Sequence, residues 1–468
     1  MKLMKNVMVL LINKFIRRYS TGKALKIFCS EMGMAYIKLA QILSMWNIDK
    51  VFTEQDRVDI QQICDECKPV SLSEVKSLLI EYYGGKPKFL RKFYTTPIGS
   101  ASVSQVHKAE LVTGEIVVLK IKRKDVATTI QKDMEILRWV AKWFAPLFGI
   151  TNQTGLQAAI NMYYEWIGCE IDFENEVQNI LKYQKFANSV NGKIPGYCDI
   201  VMPRVYIEYC TPNVIVMEYV PYKTLSQRPR LNDKFIRHGF DSYIMLSFWA
   251  LLHRNPVVFH GDPHLGNIYV DDNNNLGFLD MGLLFELSPQ EAEDVIELFM
   301  LVFFQNAEAL YLKLQKYITG SADTCKRFQK AVEQFCSDIP NKPISNYFVD
   351  LMIECLTYEI VPPSYLFKMA KAFVYLGGTE QMYASDICGY ELLLPQVMQY
   401  LCQSLISSIK NSREQALRTC DAVLDADWDN AVLYGCRVLS KIKSSSNTVN
   451  SIVSLMKQRF RDYQEGTA

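Results

Sequence analysis

Several features are scarce in this sequence, and each gap removes a class of protein. Charge of one sign is not in excess: 51 Lys and Arg stand against 50 Asp and Glu over 468 residues. No net field therefore favours nucleic acid, and any charged partner has to be sought in local patches. Long apolar runs are missing. The most hydrophobic stretch, Val295 to Phe304, contains Glu297 and is about half of the roughly 20 residues that a membrane-spanning helix needs. Histidine is rare, with 5 residues, and neither a second CxxC nor a His pair accompanies Cys64 and Cys67 to complete a zinc site. The 13 cysteines follow no regular spacing, which predicts reduced thiols in the cytoplasm rather than a disulfide framework. No internal repeat or low-complexity tract interrupts the chain.

The N-terminus opens on a basic residue and an apolar run, as a signal peptide does. That run, Val7 to Ile12, is too short, and Asn13, Lys14, Arg17 and Arg18 stand where small residues of a cleavage site belong. An amphipathic basic helix is the expectation, packed on its own protein or lying on an anionic membrane surface.

Helical spacing with few breakers covers residues 1 to 68 and stops at Lys68-Pro69. A helix is predicted from Ser73 to Tyr83, closed by Gly84-Gly85. Between Pro97 and Lys108 the chain turns rich in Gly, Ser and Ala. Alternation on both sides of Thr113-Gly114 then predicts a β-hairpin ending at Lys122. Helical patterns fill about 125 to 190, strand-like runs follow at Val201 to Tyr206 and Val214 to Val220, and the remainder is helical. The exception lies near 257 to 284, where short strands surround Gly, Asp and Asn turns.

That exception carries the chemistry. Phe259-His-Gly-Asp-Pro-His-Leu-Gly-Asn267 is followed by Asp280-Met281-Gly282. Phosphoryl transfer needs a carboxylate for the acceptor and hard oxygen ligands for Mg2+. Asp262 and Asn267 have the D-x-x-x-x-N spacing of a kinase catalytic loop, and Asp280 takes the place of the metal-binding Asp of DFG. Turn-forming explains any one of these residues but not the set. Lys120, in Val117-Val-Leu-Lys-Ile, matches the kinase strand lysine, and alternation places it on the face of Val118; the sequence leaves open which face lines a pocket. Its candidate partner, Glu176, stands in an acidic stretch with Glu170, Asp172 and Glu174 that reads equally well as a solvated surface.

These blocks resemble, in order, the motifs of the UbiB (AarF) family of atypical, protein-kinase-like proteins. Lys38-Leu-Ala-Gln41 is similar to its KxGQ motif, Pro97 to His107 to its Ala-rich nucleotide loop, and Glu170-Ile-Asp172 with Glu176 to its ExD motif and helix glutamate. The strand lysine and the HxDPHxGN block complete the series over roughly residues 20 to 300. The sequence departs from the family at Ala40 for the motif glycine, at Gly99-Ser-Ala-Ser102 for Ala-Ala-Ala-Ser, at Leu265 for Pro and at Met281 for Phe. None of these changes removes a charged group.

The resemblance implies a two-lobed kinase-like α+β fold. The expected division is an N-terminal helical KxGQ extension (1–70), an N-lobe (71–220), a mostly helical C-lobe (221–400) and a helical tail (401–468). ATP or ADP would bind at Ser100, Ala101, Ser102, Val103, Lys120, Glu176, Glu218 and Val220, and Mg2+ at Asn267 and Asp280, with Asp262 as base. Lys38 would pair with Glu170 or Asp172, Gln41 completing that element, and a peptide substrate is not expected. Turnover would be ATP hydrolysis or small-molecule or lipid phosphorylation, supporting isoprenoid-quinone biosynthesis or lipid homeostasis. Two alternatives stay open: a small-molecule kinase of the aminoglycoside or choline type, which shares His260-Gly261-Asp262, and a nucleotide-binding scaffold with little turnover. A quinone precursor or lipid is the expected partner. Peripheral contact with the cytoplasmic membrane face would run through the basic N-terminal helix or the basic tail.

Overall fold

The computed structural model describes residues 19–32, 36, 69–101, 103–144, 153–193, 196–227, 234–252, 257–264, 266–303, 305–318, 321–338, 344–358, 360 and 362–382. The KxGQ residues Lys38 and Gln41, the loop residues Ser102 and Leu265, the Cys64–Cys67 pair and the tail from 383 lie outside them.

Helix α1 (Thr21–Met32) contributes Cys29 to the main core, and Tyr36 beyond it donates its hydroxyl to the Asp133 carbonyl at 3.4 Å. Helix α2 (Leu72–Tyr83) starts where the Ser71 hydroxyl accepts from the Glu74 N–H, and stops at Gly84 in the left-handed region with φ of 65°. That stop is the predicted one, and glycine carries it without a Cβ penalty.

Four antiparallel strands follow in the order β1 (Leu90–Ser100), β2 (Ser104–Leu111), β3 (Ile116–Lys122) and β5 (Val214–Glu218). The β2–β3 hairpin turns at Thr113-Gly114 as expected, with Gly114 at φ 99°. Strand β1 corrects the expectation of a long small-residue loop: pairing runs through Gly99 and Ser100, and the loop shrinks to Ala101–Val103. One face of this sheet, with Val117, Leu119, Ile121 and Val216, packs on Val75, Leu78 and Leu79 of α2. The other face, with Val118, Ile215 and Met217, joins the main core. On β2, the buried Gln105 side chain accepts from the Val70 N–H at 2.8 Å and meets His107 at 2.9 Å, fastening the segment before α2 to the sheet.

Helices α3 (Val126–Phe144), α4 (Gln153–Glu170) and α5 (Phe173–Val190) fill the predicted helical stretch. Of the next predicted strand only Val201 is regular, in β4 (Ile200–Val201); Val205 bridges singly to Met217, and Ile207–Tyr209 is a 3-10 turn. Past α6 (Lys234–Leu252) come β6 (Val257–His260), β7 (Ile268–Val270), β8 (Leu276–Phe278) and β9 (Leu284–Leu287), then helices α7 (Pro289–Phe303), α8 (Ala307–Gln315), α9 (Ala322–Asp338), α10 (Ile344–Thr357) and α11 (Ser364–Met382). Strand β9 extends the short-strand region past its expected end. Among the described residues no helix is long and apolar enough to cross a membrane. In α7, Glu297 is exposed and pairs with Lys313 of α8, so this apolar stretch is a core helix with one solvated side.

Candidate active site

Two short strand pairs bring the motif residues to one end of the C-lobe. Antiparallel β6 and β9 pair His260 with Leu284, and Gly261 N–H donates to the Leu283 carbonyl at 2.8 Å, leaving Asp262 at the strand mouth. Antiparallel β7 and β8 pair Ile268 with Phe278, and Leu279 N–H donates to the Asn267 carbonyl at 2.8 Å, so Asn267 and Asp280 flank the end of that pair. Between them the turn is closed by His264 N–H to the Asp262 carbonyl and Asn267 N–H to the His264 carbonyl, both 2.8 Å. Gly261 is needed by its surroundings: a Cβ there would stand 2.5 Å from Leu283 Cγ.

Under this turn lies an aromatic floor. Phe278 meets Tyr183, Tyr243 and His260 edge-on, with centroids 5.8, 5.3 and 5.0 Å apart. His260 is fully buried and accepts from the Asp262 N–H through Nδ1 at 3.1 Å. Burial lowers its pKa to about 4, against the opposing pull of Asp262 and Asp280.

The centre of the site is Lys120. Its Nζ donates to Glu176 Oε1 and Oε2 at 2.7 and 2.8 Å and to Asp280 Oδ2 at 2.6 Å. The strand lysine, the helix glutamate and the metal-triplet aspartate, drawn from β3, α5 and the segment after β8, thus meet at one ammonium. Burial works against the Lys120 charge, and Asp280 and Glu176 together outweigh it and hold the pKa above its ordinary range. Glu176 is raised to about 7 by burial and by Asp280, against Lys120 and the Met281 backbone. Glu176 is fully enclosed, whereas the Asp280 side chain keeps 35% of its surface exposed. One carboxylate is thus fixed to orient the lysine and the other is open to solvent. Asp280 Oδ1 accepts from Gly282 N–H at 2.8 Å. Met281, in place of Phe, is fully buried, and its carbonyl accepts from Asn179 Nδ2 at 3.0 Å.

The remaining expected residues divide. Ser100 ends β1 and accepts from Arg123 through Oγ at 2.8 Å; past it, Ala101 N–H donates to the Ser104 carbonyl at 2.9 Å and Arg123 N–H to the Val103 carbonyl at 2.8 Å. Glu170 lies against the metal triplet, since a Cβ on Gly282 would be 3.4 Å from Glu170 Cα. Asp172 is exposed and works as the N-cap of α5, accepting from Asn175 N–H at 3.0 Å. Glu218 is not brought to the Lys120 face. It pairs with Val117 on the α2 side of the sheet, and its carboxylate accepts from Arg204 N–H at 3.2 Å. Met217, which shares the face of Lys120, was not expected. Neither was Lys371 of α11, buried, with Nζ 3.6 Å from Asp262 Oδ1. The one signal for Lys371 is a lysine inside a helix whose residues from Tyr365 to Phe373 are buried almost throughout.

A family model described as the ABC1 atypical kinase-like domain matches residues 62–314. The chain belongs to this family. Curated relatives of this UbiB-type protein include one named Probable protein kinase UbiB from Shewanella oneidensis, 26% identical over 404 residues, covering 82% of this chain and 71% of that protein. A second of the same name, from Shewanella baltica, is 25% identical over 420 residues, covering 86% and 74%. Among solved structures, the Rv3197–erythromycin complex from Mycobacterium tuberculosis is similar with TM-score 0.41 and 18% identity, covering 81% of this chain and 98% of that one. The Rio2 kinase complex with ADP/Mg2+ and phosphoaspartate from Chaetomium thermophilum has TM-score 0.27 and 11% identity, covering 79% and 99%. The fold is kinase-like α+β, and the protein is an atypical kinase-like protein of the UbiB type.

Proposed function

We propose that this UbiB-type protein binds ATP or ADP with Mg2+ between its lobes and turns ATP over, as an ATPase or as a kinase for a small molecule or lipid. The observation that carries this reading is the convergence of Lys120, Glu176 and Asp280 on one ammonium. That arrangement is the one a kinase needs to hold a cation against nucleotide phosphates. Lys120 takes the phosphates and Glu176 aims it. Asn267 and Asp280 present an amide and a half-open carboxylate, a hard-oxygen pair suited to Mg2+. Bound there, Mg2+ neutralises charge on the phosphate oxygens. Asp262 orients the attacking hydroxyl or water and takes its proton as the bond from the terminal phosphorus to the ADP oxygen breaks. Glu170 lies against Gly282, and Lys38 is the proposed partner of Glu170 or Asp172.

Relatives named UbiB support a role in isoprenoid-quinone biosynthesis, with a quinone precursor or a lipid as the partner. The test is phosphate release from ATP by wild type, Asp262→Asn and Asp280→Asn over a Mg2+ titration. Mg2+-dependent release by the wild type that both variants lose supports turnover. Release that survives in both variants, or none in the wild type, contradicts it.

A further inference from the structure

The catalytic turn carries Pro263, His264, Leu265 and Gly266 between Asp262 and Asn267 and no Lys or Arg. A cation nevertheless stands at its acid. Lys371, from the middle of α11, is 5% exposed and places Nζ 3.6 Å from Asp262 Oδ1, itself on a side chain only 8% exposed. The same ammonium lies 5.9 Å from the Trp166 ring of α4, the helix that ends in Glu170. Trp166 in turn packs on Phe285 of β9 at 5.7 Å. The C-terminal helical layer and the ExD helix therefore meet over the catalytic turn, with Lys371 at their junction.

We infer that Lys371 recognises the terminal phosphoryl group of a bound nucleoside triphosphate, making α11 part of the active site. The inference rests on the nucleotide reading above. In that reading Asp262 handles the nucleophile that attacks the terminal phosphorus, so a cation beside Asp262 faces that group, while Lys120, beside Asp280 and Glu176, faces the inner phosphates. The two lysines divide the triphosphate between them. A purely structural ion pair is the competing explanation. Buried pairs of that kind add little net stability, and replacement of both partners by packed apolar side chains is often neutral, so stability alone gives no account of a lysine enclosed here.

The test is isothermal titration of the full chain with Mg2+ and either ADP or the non-hydrolysable triphosphate AMP-PNP, in wild type, Lys371→Met and Lys371→Arg. Loss of one charge-assisted contact predicts about tenfold weaker AMP-PNP binding by Lys371→Met, with ADP binding unchanged and Lys371→Arg restoring most of the loss. Equal weakening toward both nucleotides, or toward neither, overturns the inference while leaving the nucleotide site standing. A wild type that binds neither nucleotide overturns both. Should Lys371→Met fail to fold, Lys371→Gln carries the same prediction.

Discussion

The two faces of the four-stranded sheet are built from the same strands and do opposite work. Toward α2 the strands present Val117, Leu119, Ile121 and Val216, an apolar surface closed by Val75, Leu78 and Leu79. Toward the C-lobe the alternate residues Val118, Ile215 and Met217 surround Lys120, 8% exposed and held by two carboxylates. One residue's shift in parity separates a packed wall from a charged centre. The α2 face is where stability is gained by burial, and the Lys120 face is where part of it is given up to keep a cation and its partners out of water.

The largest effect that separates the faces comes from Lys120→Met. It leaves Glu176 fully enclosed beside Asp280 without its counter-charge, which predicts a loss of about 3–5 kcal/mol in urea unfolding and no nucleotide-induced stabilisation. Adding Glu176→Gln should recover much of the stability and none of the nucleotide response. On the other face, Leu119→Ala should cost about 2–5 kcal/mol through its cavity while the nucleotide response survives. If Leu119→Ala abolishes that response as completely as Lys120→Met, the division between the faces fails.

A smaller effect lies under the turn. His260, neutral and buried, binds fewer protons folded than unfolded between its lowered pKa of about 4 and its ordinary 6.5. Stability should therefore rise with pH across that window and fall on acidification, by about 3 kcal/mol in all. Urea unfolding from pH 4 to 6.5 should show the slope in wild type, and His260→Gln should flatten it.

The smallest effect concerns Asp172. As a cap, Asp172→Ala should cost about 1 kcal/mol and Asp172→Asn almost nothing. A nucleotide response altered by Asp172→Asn at unchanged stability would show instead that the charge, not the cap, matters.

These comparisons also mark what the sequence disclosed. The β2–β3 hairpin was legible because Thr113-Gly114 fixes its turn and period-two alternation flanks it on both sides. Strand β1 was not, because its pairing with β2 shifts register three times, which destroys the period. Asp262, Asn267 and Asp280 were legible as a spacing along one local stretch. Which face Lys120 lines was not, since alternation gives parity and only the docking of α2 decides which side is wall. The capping role of Asp172 had a signal, an Asp at the start of a helical run, that its acidic neighbours obscured. Glu218 pairs with Val117 and carries its carboxylate on the α2 side of the sheet, a placement that the sequence did not disclose. Lys371 sits 109 residues beyond Asp262 in the sequence, and no spacing rule reaches across the helices that bring it back.

The central claim is that the Lys120 face is a nucleotide site whose metal is held through Asp280. Its most direct test is thermal unfolding of wild type and Asp280→Asn with ATP or ADP, with and without Mg2+. At about 100 times its dissociation constant a bound nucleotide should add about 2.7 kcal/mol to the wild type, with Mg2+ strengthening the effect and Asp280→Asn losing the Mg2+-dependent part. A wild type whose melting temperature is unmoved by either nucleotide would contradict the account.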